Sequence, residues 1–266
     1  MNFLRQFHDI VSNQEIDFSN KVTKLLKFGL DVFNLEFAIV SRVDGQVYTV
    51  IHALTPDNAI AVGTQFDVSG TYCAHTLEAN KALSFHHASK SPIAEHPCYV
   101  NFQLESYIGA PIFVGKKVFG TVNFSAPNVS KPFNEESHDY VELFAQWLGN
   151  ELARNASSER LLKKNYMLAQ VEEVARIGSW EFDLLENKLY WSKQTKAIHE
   201  VPADYAPNLE TAIKFYKEGE SRNAIQQVVK EAVELGKDWK EVERIDCKAD
   251  EKHAHDYSFL TFEKIN

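Results

Sequence analysis

Apolar residues recur at helical spacing over residues 16–33, which predicts one amphipathic helix near the start of the chain. Two strand-like runs follow at residues 37–42 and 47–51. The Asp44-Gly45 pair between them is a strong signal for a tight hairpin. The chain therefore opens with a helix and an antiparallel strand pair.

The next part of the chain predicts a second hairpin behind an irregular segment. A short helix over residues 71–79 and a strand over 82–86 precede the irregular residues 88–102, and the hairpin pairs residues 107–114 with 118–124. Since both hairpins are local, this order predicts an α+β fold with an antiparallel central sheet flanked by helices.

A long helix is predicted after Asn134, which is a good N-cap residue. No Gly or Pro occurs within residues 150–176, so the helix can continue far beyond its apolar start. Leu161, Leu168 and Ala175 keep a seven-residue spacing. This segment is either a solvated connecting helix or a dimer-forming coiled coil.

The pattern changes again after Gly178. Apolar and polar residues alternate over residues 179–184 and 189–192, with a polar turn between the two segments. This pattern predicts a second, smaller antiparallel sheet. Further elements are predicted as helices at 194–199, 209–216 and 221–235 and strands at 239–245 and 257–265.

Composition narrows the possible functions of the 266 residues. The net charge of −9 disfavours nucleic-acid binding, which needs clustered cations. The most apolar run, residues 107–114, is too short for a membrane segment, and the first residues lack a signal-peptide core. Cys73, Cys98 and Cys247 form no CxxC pair or disulfide framework, so we expect a cytoplasmic location.

Three ordered motifs give the first part of the chain a family resemblance. SYIGAPI at residues 106–112, VFGTVNFS at 118–125 and PFNEE at 132–136 resemble the closing motifs of GAF domains. The resemblance covers roughly residues 17–154 and implies a GAF-like sensory domain over residues 1–154. In these motifs, Gly109 and Gly120 suit positions where a close neighbour excludes a side chain.

The last part of the chain resembles a PAS domain of bacterial sensor proteins. IGSWEFD at residues 177–183 with LYWS at 189–192 is similar to the first PAS hairpin, and WKEVER at 239–244 is similar to the third strand. This implies a PAS-like domain over residues 177–266, whose closing strands are not recognisable, after a connecting signalling helix over residues 155–176. In such proteins a histidine kinase or GGDEF diguanylate cyclase follows, and neither motif set is present here.

The GAF resemblance implies a pocket between the sheet and its covering helix and loops for an unknown small ligand. The residues that it places there are Phe66, Tyr72, Cys73, His75, Thr76, His86, Tyr107 and Asn123. A few polar groups in an apolar wall are what selective ligand binding needs. For each residue alone, a packing role is the competing interpretation.

The sequence contains no recognisable motif for metal binding or catalysis. His86, His96 and Cys98 are the candidate metal ligands, but their spacing matches no known site, so we predict no metal. GAF domains that attach a tetrapyrrole usually have Cys followed directly by His, a pattern that Cys73 and Cys98 lack. The sequence identifies no cofactor. Without any common catalytic motif, the chain is predicted not to be an enzyme by itself.

Together these features predict a sensory input module of a bacterial signalling protein of the two-component or diguanylate cyclase type. A ligand or partner in the GAF-like domain would act through the helix on the PAS-like domain, with a homodimer formed along that helix. The alternative is a GAF/PAS dimerisation or protein-docking scaffold that binds no ligand.

Overall fold

A computed structural model of the chain describes residues 3–183, 186–216, 218–235 and 257–258. Two compact units divide between residues 158 and 159. Among the described residues, no helix combines the length and apolar character that crossing a membrane requires.

Two helices begin the first unit. α1 spans Phe3–Val11 and α2 spans Phe18–Phe33. Asp17 caps α2 by accepting a 2.8 Å hydrogen bond from the backbone N–H of Asn20, and Asn34 ends it in the left-handed conformation. The predicted helix over residues 16–33 is thus confirmed, whereas α1 was not predicted.

A six-stranded antiparallel sheet forms the centre of the first unit, as the sequence predicted. Its order is β3-β2-β1-β6-β5-β4, so both predicted hairpins lie side by side within it. The strands are β1 Phe37–Asp44, β2 Val47–Leu54, β3 Gln65–Asp67, β4 Leu83–Phe85, β5 Ser106–Val114 and β6 Lys117–Ala126.

The two faces of this sheet carry separate apolar clusters because neighbouring residues of a strand point to opposite sides. On β1, Ala38 and Val40 pack into a core with α1, α2 and the next long helix, while Ile39 belongs to the other cluster. Helix α3, Cys73–Ala79, and helix α4, Pro97–Phe102, contribute to that second cluster.

Close packing explains two glycines of the motifs. A methyl group at Gly120 would lie 1.9 Å from the carbonyl oxygen of Ser41, and one at Gly109 would lie 2.4 Å from the phenol oxygen of Tyr107. Both distances are far below contact range. The prediction that close neighbours exclude side chains at these glycines is confirmed.

Helix α4 corrects the prediction of an irregular segment over residues 88–102. Pro97 fits the first turn of a helix, and the Nδ1 atom of His96 accepts a 3.1 Å hydrogen bond from the backbone N–H of Cys98. Gln103 then ends the helix in the left-handed conformation. Six residues are too few for a periodic apolar signal.

A single helix of 41 residues, α5, spans Glu135–Ala175, so the predicted continuation is confirmed. Asn134 caps it by accepting a 2.9 Å hydrogen bond from the backbone N–H of Ser137. One face of its first half is buried in the first unit, at Val141, Phe144 and Leu148 among others. Beyond that the helix exposes large apolar side chains at Leu161, Leu162, Tyr166, Met167, Leu168, Val171 and Val174.

The second unit contains the predicted hairpin as β8, Trp180–Asp183, and β9, Lys188–Trp191. β7, Ile177–Gly178, pairs in parallel with β10, Tyr257–Ser258. The helices α6 Lys193–Ile198, α7 Leu209–Ala212 and α8 Glu220–Leu235 follow, and residues of α7 and α8 share one apolar cluster with the hairpin.

The core of the second unit is aromatic, with Trp180 and Trp191 opposite each other on the two strands. The predicted strand over residues 239–245 lies outside the described residues, as does most of the strand predicted over 257–265. The PAS-like domain therefore stays a prediction.

Candidate functional site

A cavity of about 450 Å³ lies on the face of the first unit's sheet that carries α3 and α4. This volume is within the range of small-molecule sites. Strands, both helices and the loop between β2 and β3 contribute to its wall. The lining residues are Phe37, Ile39, Tyr48, Ala59, Ile60, Thr64, Phe66, Thr71, Tyr72, Cys73, Cys98, Phe102, Leu104, Tyr107, Asn123 and Ser125.

The register of the sheet brings the cavity's sheet residues together. Asn123 and Ser125 are alternate residues of β6 and therefore share one face. Ile39 on β1 pairs with Asn123, and Tyr107 on β5 pairs with Ser125. Directly paired residues of antiparallel strands are near neighbours, so one patch of the sheet carries all four.

A buried sulfur atom lies at the start of α3, beside this patch. The Sγ atom of Cys73 accepts hydrogen bonds from Thr121 Oγ1 at 3.2 Å, Asn123 Nδ2 at 3.4 Å and Tyr107 Oη at 3.6 Å. Burial raises the pKa of the Cys73 thiol, although the hydrogen bonds from Thr121 and Tyr107 oppose this shift. The thiol is therefore neutral at physiological pH.

Two buried tyrosines extend this polar network. The Nδ2 atom of Asn123 donates to Tyr48 Oη at 3.1 Å, and the hydroxyls of Tyr107 and Thr76 are 2.7 Å apart. Burial raises the pKa of Tyr48 and of Tyr107 well above the usual value of a phenol. Both phenols are hydrogen-bonding groups and not charges.

The helical wall of the cavity is also uncharged. Burial raises the pKa of the Cys98 thiol to about 12. The Tyr72 hydroxyl donates a 2.9 Å hydrogen bond to the carbonyl oxygen of Leu104, and burial raises the pKa of this phenol as well. Among the described residues that line the cavity, none is Asp, Glu, Lys, Arg or His.

Five of the eight predicted site residues line the cavity, namely Phe66, Tyr72, Cys73, Tyr107 and Asn123. Thr76 does not line it, and its buried hydroxyl is hydrogen-bonded to that of Tyr107. His75 packs instead against His96 and Phe85, with ring centroids 4.9 and 6.2 Å away. His86 is exposed just after β4.

Sequence reasoning missed several lining residues, among them Tyr48, Cys98 and Ser125. The two-residue period of β6 would have found Ser125 from Asn123. Tyr48 lies on a strand two places from β6, so its approach to Asn123 depends on the order of the strands in the sheet. No local pattern contains that information.

The candidate metal ligands are not assembled. Within the described ranges, no three His, Cys, Asp or Glu side chains lie close enough to hold a metal ion. The Nδ1 atom of His96 accepts the hydrogen bond that caps α4, Cys98 is buried with a raised pKa, and His86 is exposed. The three side chains have separate structural environments.

Comparison with known proteins identifies the fold of the first unit. The family model described as GAF domain matches residues 20–152, half of the chain. A comparison with curated protein sequences found no match.

Solved structures that resemble the chain share little of its sequence. The phycoerythrobilin-bound GAF domain of a cyanobacterial phytochrome is 14% identical, with a TM-score of 0.50 over 60% of this chain and 98% of that one. The chromophore-binding domain of a bacteriophytochrome from R. palustris is 14% identical, with a TM-score of 0.50 over 59% and 62%. The GAF domain of an Acinetobacter phosphoenolpyruvate-protein phosphotransferase is 16% identical, with a TM-score of 0.48 over 59% and 97%. At such identities the likeness concerns the fold alone.

Proposed function

The chain belongs to the GAF domain family, and on that premise we propose that its first unit senses a small molecule in the cavity beside Asn123 and Cys73. The observation that carries this proposal is the cavity of about 450 Å³, whose wall is apolar apart from a few buried polar groups. Such a wall stabilises a ligand by burial, while the polar groups select its orientation.

A screen of small molecules by thermal unfolding tests this proposal. A ligand at about 100 times its Kd stabilises the folded state by about 2.7 kcal/mol, which raises Tm by several degrees. Ala59→Trp places a large side chain at the lining of the cavity, and Ala61→Trp places the same side chain two residues away, outside it. Both positions are exposed in the loop between β2 and β3.

We expect at least one compound to raise the Tm of the natural protein and of Ala61→Trp, but not that of Ala59→Trp. A screen in which every stabilising compound also stabilises Ala59→Trp would place binding elsewhere and contradict the proposal. The paired variants thereby separate cavity binding from binding at another surface.

We also propose that the chain is the input region of a bacterial signalling protein and has no catalytic activity of its own. In this proposal residues 1–154 sense the ligand, residues 155–176 connect, and residues 177–266 form a PAS-like domain. A kinase or diguanylate cyclase would be the output domain. The continuous helix α5 supports the relay, since it begins in the buried core of the first unit and runs to Ala175.

Homodimer formation along α5 is the proposed state of this input region. The exposed apolar side chains beyond residue 160 support it, because a solvated connecting helix does not need Leu or Met at such positions. The buried, free Cys73 and Cys98 are consistent with a reducing compartment, which supports the proposed cytoplasmic location.

The same exposed apolar side chains favour a second candidate function, a dimerisation or docking scaffold without a ligand. The two candidates differ in the thermal screen. A silent screen together with a stable dimer would support the scaffold, whereas a compound excluded by Ala59→Trp supports sensing.

A further inference from the structure

The cavity beside Asn123 provides no formal charge to a ligand. None of its described lining residues is a Lys, Arg, His, Asp or Glu, and its buried thiols and phenols have raised pKa values. An ion that enters such a site loses its hydration without gaining a partner of opposite charge. A wall of this kind therefore discriminates against carboxylates, phosphates and ammonium groups.

The side-chain amide of Asn123 is one of the few polar groups in the cavity wall. Its Nδ2 atom donates to Tyr48 Oη at 3.1 Å and to Cys73 Sγ at 3.4 Å, so both donors are engaged. Among the described residues, no hydrogen bond to its Oδ1 atom occurs, although the side chain is only 5% exposed and lines the cavity. An amide oxygen in a cavity wall that has no protein donor is free to accept a hydrogen bond from a ligand.

Ser125 provides a second polar atom on the same face. It is 3% exposed, lines the cavity two residues after Asn123, and has no hydrogen bond from its hydroxyl within the described part of the chain. A hydroxyl both donates and accepts, so it adapts to the ligand. The remaining polar side chains at this patch are engaged with one another, as Tyr107 is with Thr76 and Cys73.

Aromatic side chains also contribute to the wall of the cavity. Tyr48 and Phe66 are in edge-to-face contact with ring centroids 6.1 Å apart, and Phe66 and Phe102 are in the same arrangement at 5.8 Å. Such a wall favours flat rings, because aromatic pairs gain stability beyond the area that they bury.

We propose that this cavity selects an uncharged, mainly apolar, ring-bearing molecule that donates a hydrogen bond to Asn123 Oδ1. The inference rests on the proposed sensing function, whose ligand class it names. The hydroxyl of Ser125 completes the polar end of the site, and the ring lies among Tyr48, Phe66 and Phe102.

Four probes with one ring system test each part of this inference by titration calorimetry. They are β-naphthol, which donates a hydrogen bond, its methyl ether, which does not, naphthalene, which is apolar, and β-naphthoate, which is anionic. We expect β-naphthol to bind about three- to tenfold more tightly than its ether or naphthalene. We expect β-naphthoate to bind at least about tenfold more weakly than β-naphthol.

Two protein variants assign the hydrogen bond. Asn123→Leu removes the acceptor, so the preference for β-naphthol over its ether should disappear. Asn101→Leu is the matched control, because Asn101 is exposed on α4 and does not line the cavity. If Asn123→Leu does not fold, the comparison of β-naphthol with its ether in the natural protein still tests the donor requirement.

The outcomes separate this inference from the function on which it rests. Binding of β-naphthoate at least as tight as that of β-naphthol, abolished by Ala59→Trp, would overturn the neutral ligand class and leave sensing intact. Equal affinities for β-naphthol and its ether would overturn the role of Asn123. If none of the four probes binds, the inference is overturned, whereas sensing fails only if the wider screen is silent as well.

Discussion

Asn123 on β6 donates a 3.1 Å hydrogen bond to the phenol oxygen of Tyr48 on β2, across the intervening strand β1. The contact joins the two hairpins of the sheet on its cavity face. It also engages the amide nitrogen of Asn123 and leaves the amide oxygen without a hydrogen bond among the described residues. The same hydrogen bond therefore both stabilises the sheet and holds a polar residue of the cavity wall.

Tyr48→Phe is expected to lower the free energy of unfolding by about 1–2 kcal/mol, because the Asn123 amide loses a buried partner. Urea unfolding followed by circular dichroism measures the change. Tyr166→Phe is the control, since Tyr166 is exposed on α5 and the same loss of a hydroxyl there should change little. Equal effects of the two substitutions would contradict the structural role of this contact.

Gly120→Ala should destabilise the first unit by about 1–3 kcal/mol, because the new methyl group would lie 1.9 Å from the carbonyl oxygen of Ser41. Gly70→Ala is the control, since nothing lies within 4 Å of a methyl group there. Thermal unfolding of both variants checks the prediction. A Gly120→Ala protein as stable as the control would mean that β1 and β6 pack less closely than described.

The second unit should become less stable in mild acid because of His199. Its ring contacts Trp191 and Phe215 at centroid distances of 4.7 and 4.9 Å, and burial lowers its pKa to about 4. The neutral imidazole is favoured in the folded state, so the unfolded chain takes up the proton first. Stability is full above the ordinary pKa near 6.5 and falls as the pH drops toward about 4, by at most about 1.4 kcal/mol per pH unit.

Thermal unfolding at about pH 7.5 and about pH 5 measures this dependence. His199→Phe keeps an aromatic ring in place and removes the titrating group, so its Tm should change less between the two conditions. If the Tm of His199→Phe differs between the two pH values as much as the Tm of the natural protein does, groups other than His199 cause the acid sensitivity.

Leu168→Glu should weaken a dimer formed along α5, because it places a charge at an exposed apolar position that shares the seven-residue spacing of Leu161 and Ala175. Gln170→Glu adds the same charge two residues away and is the matched control. Analytical ultracentrifugation over a range of concentrations should show a dimer for the natural protein and the control, and a dissociation constant at least about tenfold higher for Leu168→Glu. A natural protein that is monomeric throughout would exclude this interface.

Much of the fold could be predicted because its signals are local. The hairpin signalled by Asp44-Gly45 and the cap at Asn134 are both encoded within a few residues. Both occur, with Gly45 and Gln46 forming the two-residue turn. Strand β3, with three residues, and helix α4, with six, are too short for a periodic pattern. Their existence depends on the sheet and the cavity against which they lie.

The candidate site could be predicted only in part for the same reason. Cys73 and Asn123 follow from the family resemblance, and both line the cavity. His75 and His86 were included because of their chemistry, yet the first packs against other rings and the second is exposed. The direction of a side chain on a short helix or at a strand end is set by tertiary packing, which residue type alone does not reveal.

The isoleucine methyl signals in a proton–carbon correlation spectrum test the central claim most directly. Ile39 and Ile60 line the cavity, whereas Ile112 is buried in the other core of the first unit and Ile225 in the core of the second. Titration with a compound that raises Tm should shift the signals of Ile39 and Ile60 first and most strongly. Shifts confined to Ile112 or Ile225, with Ile39 and Ile60 unchanged at saturation, would contradict a ligand site in this cavity.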